Sequence, residues 1–180
     1  MDAGRKNGIT LIEVLVILVI VFVLGAIFIP VTGGSERGSG RRTQCLSNVK
    51  QLAMAVLIYS NDHDDRLPQA YRWANASLPY AKNNDVYSCP GIQPDRPGQF
   101  GHAFRRSLGA RDIASIRKPE AEPMIFDSVD LSWSANGLLD LLPPKGRFTG
   151  GRNTVAFVDG HAVCRSRAQL FRSRNATPGD

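Results

Sequence analysis

Cysteine, histidine and long apolar runs are all scarce in this chain of 180 residues, and each scarcity excludes a class of protein. The three cysteines, Cys45, Cys89 and Cys164, form no CxxC pair, which excludes a zinc ribbon and a thioredoxin-type motif. The three histidines are scattered, and no serine stands in the context of a hydrolase nucleophile. The sequence therefore does not predict an enzyme.

Acidic residues are outnumbered, with 16 Asp and Glu against 22 Lys and Arg, and the formal net charge is +6. A basic surface can bind nucleic acid or anionic lipid. The basic residues are scattered along the chain, however, and the only tight runs are Arg41-Arg42 and Arg165-Ser166-Arg167. We therefore do not expect nucleic acid to be the main partner.

The chain has one long apolar run, residues 9–29, with Glu13 as its only charge. As a helix this run would extend about 30 Å, so we predict a transmembrane helix over residues 9–30. A secretory signal peptide would have a shorter apolar stretch and a small-residue cleavage site after it. A carboxylate costs about 2.5–3.5 kcal/mol at the centre of a span and less near the interface. Glu13 therefore indicates a cationic partner rather than a plain anchor.

A short basic leader precedes this run and ends at Gly8. The junction between the leader and the run reads Gly8-Ile-Thr-Leu-Ile-Glu-Val-Leu-Val16. The junction resembles the cleavage and methylation motif of type IV prepilins and type II secretion pseudopilins. The resemblance implies that residues 1–8 are a leader peptide, cut after Gly8, and that the new N-terminus at Ile9 is methylated. Ile9 is a departure, since the family usually has phenylalanine there.

Two further residues match this family. The resemblance implies that Glu13 forms an assembly salt bridge with the Ile9 amine of a neighbouring subunit, and that Pro30 kinks the helix. It also implies a prepilin peptidase, an inner-membrane assembly platform and sister subunits as partners. The implied location is the inner membrane, crossed once, with the N-terminus cytoplasmic and residues 43–180 forming a periplasmic domain.

Glycine is concentrated just after the apolar run, and a stripe of apolar residues follows it. Four glycines lie between Thr32 and Gly40, so we expect a hinge linker over residues 31–42, because glycine costs about 1 kcal/mol in a helix. The stripe then predicts an amphipathic helix that packs on a sheet and ends near Asn61. Its members, spaced by four and three, are Cys45, Val49, Leu52, Val56 and Tyr59.

The C-terminal third contains a turn signal between two β-type runs. Asp159-Gly160 separates Thr154–Val158 from His161–Val163, which predicts a hairpin with a two-residue turn. This region partly resembles a pseudopilin-like subgroup whose C-terminal motif is a histidine, nine residues and Asp-Gly. Thr149 stands where that histidine would be, so the role of the histidine does not transfer to this chain.

Two sets of side chains are candidate ligands for a metal ion, and the resemblance makes calcium the candidate ion, since major pseudopilins of type II systems bind it. The run from Asn61 to Asp65 lacks the spacing of an EF-hand loop, so a solvated turn is the simpler interpretation. Asp127, Asp159 and His161 form the second set, for which a hairpin turn is again simpler. We therefore predict no cofactor, and calcium is the one exception that we test against the structure.

The cysteines leave two interpretations open. Cys45 on the helix stripe is typical of a small buried apolar residue. An exported domain could instead hold one disulfide, for which we favour Cys45–Cys89.

These observations predict an α+β, pilin-like fold: an N-terminal hydrophobic helix, a glycine-rich hinge, and an amphipathic helix packed on an antiparallel β-sheet. The resemblance implies a structural subunit of a type II secretion pseudopilus or type IV pilus-like filament. Two alternatives stay open. One is an anchored envelope-binding protein that does not polymerise, and the other is a minor pilin that binds DNA.

Overall fold

The computed structural model of the protein describes residues 10–28, 36–92 and 98–175. The predicted cleavage and methylation site at Gly8 and Ile9, and the predicted kink at Pro30, lie outside these ranges. By its contacts the chain divides into an N-terminal unit, Met1–Arg37, and a second unit, Gly38–Asp180.

Helix α1, Leu11–Phe28, makes up most of the described part of the N-terminal unit. Its side chains are exposed from Thr10 to Ala26, and its one charge, Glu13, lies in the first turn, where an acidic group suits the helix dipole. In the described residues no helix has both the length and the apolar character needed to cross a membrane.

That finding corrects two predictions. The transmembrane helix predicted over residues 9–30 is wrong for the helix described here. The single-pass location in the inner membrane, with a cytoplasmic N-terminus and a periplasmic domain, depended on that span and is corrected with it.

Helix α2 runs from Glu36 to Asn61, so the hinge predicted over residues 31–42 is wrong for residues 36–42. Gly38 and Gly40 lie inside the helix, which begins nine residues before the predicted stripe. The stripe itself is confirmed, since its first four members are fully buried and Tyr59 is half-buried. Packing of that stripe outweighs the cost of about 1 kcal/mol for each glycine.

Between α2 and the sheet lie α3, Trp73–Ser77, and three short 3-10 turns: Ala70–Arg72, Leu78–Tyr80 and Asn84–Tyr87. Trp73 and Tyr87 bring large aromatic rings from this segment into the core, with their centroids 5.8 Å apart. The segment thereby shares one apolar core with α2 and leads the chain to Cys89.

The sheet has five strands in the order β3-β1-β2-β4-β5. Three neighbouring pairs are antiparallel, but β3 runs parallel to β1, so the prediction of a purely antiparallel sheet is wrong. The strands are β1, His102–Arg105; β2, Pro123–Asp127; β3, Asn136–Gly137; β4, Arg152–Phe157; and β5, Ala162–Ser166.

Each face of the sheet is covered by a separate apolar cluster, because successive side chains of a strand point to opposite faces. Phe104, Ile125 and Ala156 pack with the buried stripe of α2. Ala103, Phe126 and Val155 pack on the opposite side with Leu170 of α4, which spans Arg167–Asn175.

The predicted hairpin is confirmed as β4 and β5, with Thr154 opposite Cys164. Its turn is one residue longer than predicted. The N–H of Phe157 donates to His161 O at 2.9 Å, and Val158, Asp159 and Gly160 lie between these two residues. Gly160 has φ +87°, the left-handed conformation that ends a three-residue hairpin loop.

Candidate functional site

A row of polar side chains crosses the sheet on the face that α2 covers. His102 of β1 lies opposite Asp127 of β2, and Thr154 of β4 lies opposite Cys164 of β5. The register between β2 and β4 places Asp127 beside Thr154, whose backbone N–H donates to Asp127 Oδ2 at 2.6 Å. His102, Asp127 and Thr154 are all buried.

Helix α2 places the fully buried Cys45 over this row. The Cys45 thiol donates to Asp127 Oδ1 at 3.5 Å and lies 3.6 Å from Thr154 Oγ1. Its sulfur is 4.0 Å from His102 Nε2. The first residue of the helix stripe, Cys45, therefore makes polar contacts, whereas the other buried members of the stripe pack in the apolar core.

Cys89 reaches the same place from the loop that follows the 3-10 turn Asn84–Tyr87. Its N–H donates to Phe100 O at 2.9 Å, which ties this loop to the segment leading into β1. One ligand atom from each of Cys45, Cys89 and His102 lies within 4.8 Å of the others, and all three residues are buried. Among the described residues this is the one group of three or more such side chains able to hold a metal ion.

The electrostatics of the cluster keep the imidazole neutral. Burial, aided by the positive charge of Arg147, lowers the pKa of His102 to about 3. His102 Nδ1 lies 3.6 Å from Asp127 Oδ1 and makes no hydrogen bond within the described part of the chain. Burial raises the pKa of the Asp127 carboxyl.

The two thiols differ in acidity. Burial raises the pKa of Cys45, whereas the hydrogen bond with Cys45 lowers the pKa of Cys89. Cys89 is therefore the thiol that ionises first, and a thiolate is the form that binds metal or reacts.

Arg147 and Gly101 form one edge of the cluster. The guanidinium donates to Gly101 O at 3.2 Å and to Ser128 O, at the ends of β1 and β2. Gly101 has φ +88°, and a Cβ there would collide with Ile92 and with the Arg147 guanidinium. The absence of a side chain at Gly101 therefore lets the Arg147 guanidinium lie against the backbone beside the cluster.

The structure brings some of the predicted site residues together and separates others. Cys45 and Cys89, favoured above as a disulfide pair, are neighbours but are both free thiols, as is Cys164. Asp127 belongs to the cluster. Asp159 and His161 do not, because they follow the far end of β4, where His161 Nδ1 contacts Asp159 Oδ1 at 2.5 Å.

The acidic run after α2 is a turn, as the simpler interpretation predicted. Residues 62–65 are exposed, and Asp64 and Asp65 have φ of 54° and 56°. His63 is engaged locally, since its ring stacks on Tyr59 and its Nδ1 lies 2.8 Å from Tyr59 O. The run does not form a metal-holding group with other described residues.

Sequence reasoning missed His102 because it treated the three histidines as scattered. One signal was present: Asp127 ends the apolar run Pro123–Phe126, and a carboxylate at the end of a buried strand needs a partner. The partner could not be read from the sequence, because it depends on the register that sets His102 opposite Asp127.

Helix α1 is the second candidate feature. Leu11 is 85% exposed and Phe22 78%, although both are large and apolar. Glu13 is exposed in the first turn. The helix therefore presents an apolar surface on every side with one carboxylate near its beginning.

Comparison of the chain with protein-family models, with curated proteins and with solved structures finds no match.

Proposed function

We propose that this chain is a structural subunit of a pilus-like filament, either a type II secretion pseudopilus or a type IV pilus-like fibre. The junction Gly8–Val16 suggests that a prepilin peptidase matures the subunit by cutting after Gly8. The partners under this proposal are that peptidase, an assembly platform and sister subunits. The role is structural, and no catalytic residue is assigned.

The observation that carries the proposal is the exposure of α1 along its described length. A helix that is apolar on all sides is normally buried. Each Leu, Ile, Val or Phe side chain removed from water contributes about 1.5–3 kcal/mol. Side-by-side packing of α1 with the α1 helices of sister subunits would bury this surface.

Glu13 supports sister subunits as the occupants of that surface. A carboxylate buried among apolar helices is costly unless a cation pairs with it. Cleavage after Gly8 would create a free amine at Ile9, and N-methylation keeps the positive charge of that amine. Glu13 of one subunit can then pair with the Ile9 amine of its neighbour, which also sets the stagger between them.

Calcium is not part of this proposal. It takes six to eight oxygen ligands, whereas Asp127 lies apart from Asp159 and His161, and two of the three side chains able to hold a metal are thiols.

The proposal is tested by Glu13→Ala, expressed in a cell that lacks the wild-type copy. Cleavage should persist, because the cut lies on the leader side of Ile9. Assembly should fail, because losing one member of a buried ion pair costs about 3–5 kcal/mol and the loss recurs at every subunit. The measurement is the yield of cross-linked multimers. Thr10→Ala, an exposed substitution one turn away, is the matched control and should assemble.

Two results would contradict the proposal. Glu13→Ala multimers at the wild-type level would remove the assembly role of the carboxylate. A wild-type chain that is cleaved but never cross-links to itself would favour an envelope-binding protein that does not polymerise.

A further inference from the structure

The side chains around Cys45 match one class of ion. Two thiols and an imidazole are ligands for borderline and soft metals, of which zinc is the commonest with this set, and they do not suit calcium or magnesium. In a tetrahedral zinc site, bonds of about 2.3 Å to sulfur and 2.0–2.1 Å to nitrogen put neighbouring ligand atoms about 3.6–3.8 Å apart. Cys45 Sγ and His102 Nε2 are 4.0 Å apart, and Cys89 completes the set within 4.8 Å.

The unpaired nitrogen of His102 points to the same conclusion. A metal on Nε2 requires the proton on Nδ1, and a metal-bound histidine commonly donates that proton to a carboxylate. Among the described residues, His102 Nδ1 has no hydrogen-bond partner, but it faces Asp127 Oδ1 at 3.6 Å. Asp127 is itself held by the N–H of Thr154. The carboxylate is thus placed to orient the ring with Nε2 towards the two sulfurs.

We propose that Cys45 Sγ, Cys89 Sγ and His102 Nε2 bind one zinc ion, with Asp127 as the residue that positions His102. Binding displaces two thiol protons to solvent and leaves two thiolates on the divalent ion. Beside the proposed zinc site, the Asp127 carboxylate carries a negative charge and the Arg147 guanidinium a positive charge, so these two charges balance each other. The described residues supply three ligands, and the fourth position takes water or another ligand.

The ion would join three segments that are distant in sequence: α2, the loop at Cys89 and the start of β1. Such a structural ion adds its binding free energy to the stability of the fold. This inference is independent of the filament proposal, because all its residues lie in the second unit and none lies in α1.

The test uses the full-length chain, purified with its thiols reduced, loaded with zinc and freed of excess metal. Bound zinc is counted by elemental analysis, and the melting temperature is compared with and without zinc. We expect one zinc ion per chain and a higher melting temperature when zinc is bound. Cobalt in place of zinc should produce a thiolate-to-cobalt charge-transfer band, which reports sulfur ligation directly.

The variants separate ligands from neighbours. Cys89→Ser and His102→Gln should lose the zinc and the increase in melting temperature, whereas Cys164→Ser should keep both. Asp127→Asn should retain the site with an affinity about 10–100-fold weaker. Circular dichroism of each variant without metal shows whether the variant folds. The cobalt band is measured on the wild type, so it tests sulfur ligation even if a variant fails to fold.

Three outcomes would overturn the assignment. The first is a reduced wild-type chain that binds neither zinc nor cobalt. The second is zinc retained in a folded Cys89→Ser and a folded His102→Gln, or lost equally in Cys164→Ser. The third is a Cys45–Cys89 disulfide in peptide maps of protein whose free thiols were blocked at harvest, since that bond would consume both ligands.

Discussion

At the scale of residues, several buried polar side chains of the second unit are held by hydrogen bonds. Tyr87 is an example, because its hydroxyl donates to Ala74 O at 3.3 Å and lies 2.8 Å from Ser77 Oγ. The ring is buried against Trp73 and Trp133. The side chain therefore combines apolar packing with hydrogen bonds that close one end of α3.

Tyr87→Phe should lower the free energy of unfolding by about 1 kcal/mol at pH 7, the net value of such a hydrogen bond. Burial raises the pKa of Tyr87 above its usual value of 10, although the Ser77 hydrogen bond opposes this. Above pH 10 the unfolded chain ionises its tyrosine while the folded chain resists, so the wild type loses stability as pH rises. The advantage of the wild type should therefore shrink above pH 10.

Urea titrations of both proteins between pH 7 and pH 11 measure this difference. Tyr71→Phe is the control, since Tyr71 is 62% exposed, and it should differ little from the wild type at any pH. A Tyr87→Phe deficit that stays constant or grows at high pH would contradict the argument.

At the scale of elements, α2 tolerates glycine where a break was predicted. Within the described part of the chain, a Cβ added at Gly40 would meet no atom within 4 Å, and one added at Gly38 would meet only the Thr149 hydroxyl oxygen, at 4.0 Å. A methyl group at either position would therefore not collide with any described residue. Glycine there weakens the first turns of α2 without serving a turn or a close approach.

Gly40→Ala should raise the free energy of unfolding by about 0.5–1 kcal/mol, because alanine has fewer conformations to lose when the helix forms. The double variant Gly38→Ala/Gly40→Ala should gain roughly twice that amount. Chemical denaturation followed by circular dichroism measures both.

The matched contrast is Gly101→Ala, which should destabilise the fold, because φ +88° strains alanine and its methyl group would collide with Ile92 and Arg147. A loss of stability in Gly40→Ala would mean that α2 needs flexible backbone near its start, and would restore the hinge for that segment.

At the scale of the whole molecule, the filament proposal depends on the maturation of the chain. Intact-mass analysis of protein made in a host with a prepilin peptidase should show a chain that begins at Ile9 and carries one additional methyl group. Gly8→Val should leave the leader attached, because a branched side chain replaces the glycine at the cut. A retained leader in the wild type, or a start after Pro30, would contradict this maturation.

The proposed metal centre would affect the molecule on the same scale. Its ligands come from sequence positions 45, 89 and 102, so one ion would connect the long helix, the loop and the sheet of the second unit. Zinc would then change the stability of the whole unit rather than of one element.

Local pattern determined much of this protein. The spacing of Cys45, Val49, Leu52 and Val56 predicted the buried face of α2, because a helix repeats every 3.6 residues whatever surrounds it. Asp159-Gly160 predicted the β4–β5 hairpin, although its loop has three residues instead of two, because a glycine between two β-type runs can adopt the left-handed conformation that such a loop needs.

Tertiary structure decided what local pattern could not. The cost of Gly38 and Gly40 predicted a hinge, but packing of α2 on the sheet outweighs that local cost. Strand β3 is only two residues long, too short for its direction beside β1 to be read from any pattern. The candidate metal centre depends on strand register and on the seating of α2, which bring together residues up to 82 positions apart. Such contacts follow from the packing of the whole second unit. The sequence by itself therefore showed that the cysteines, the histidine and the carboxylate are present, but it did not predict that they lie close together.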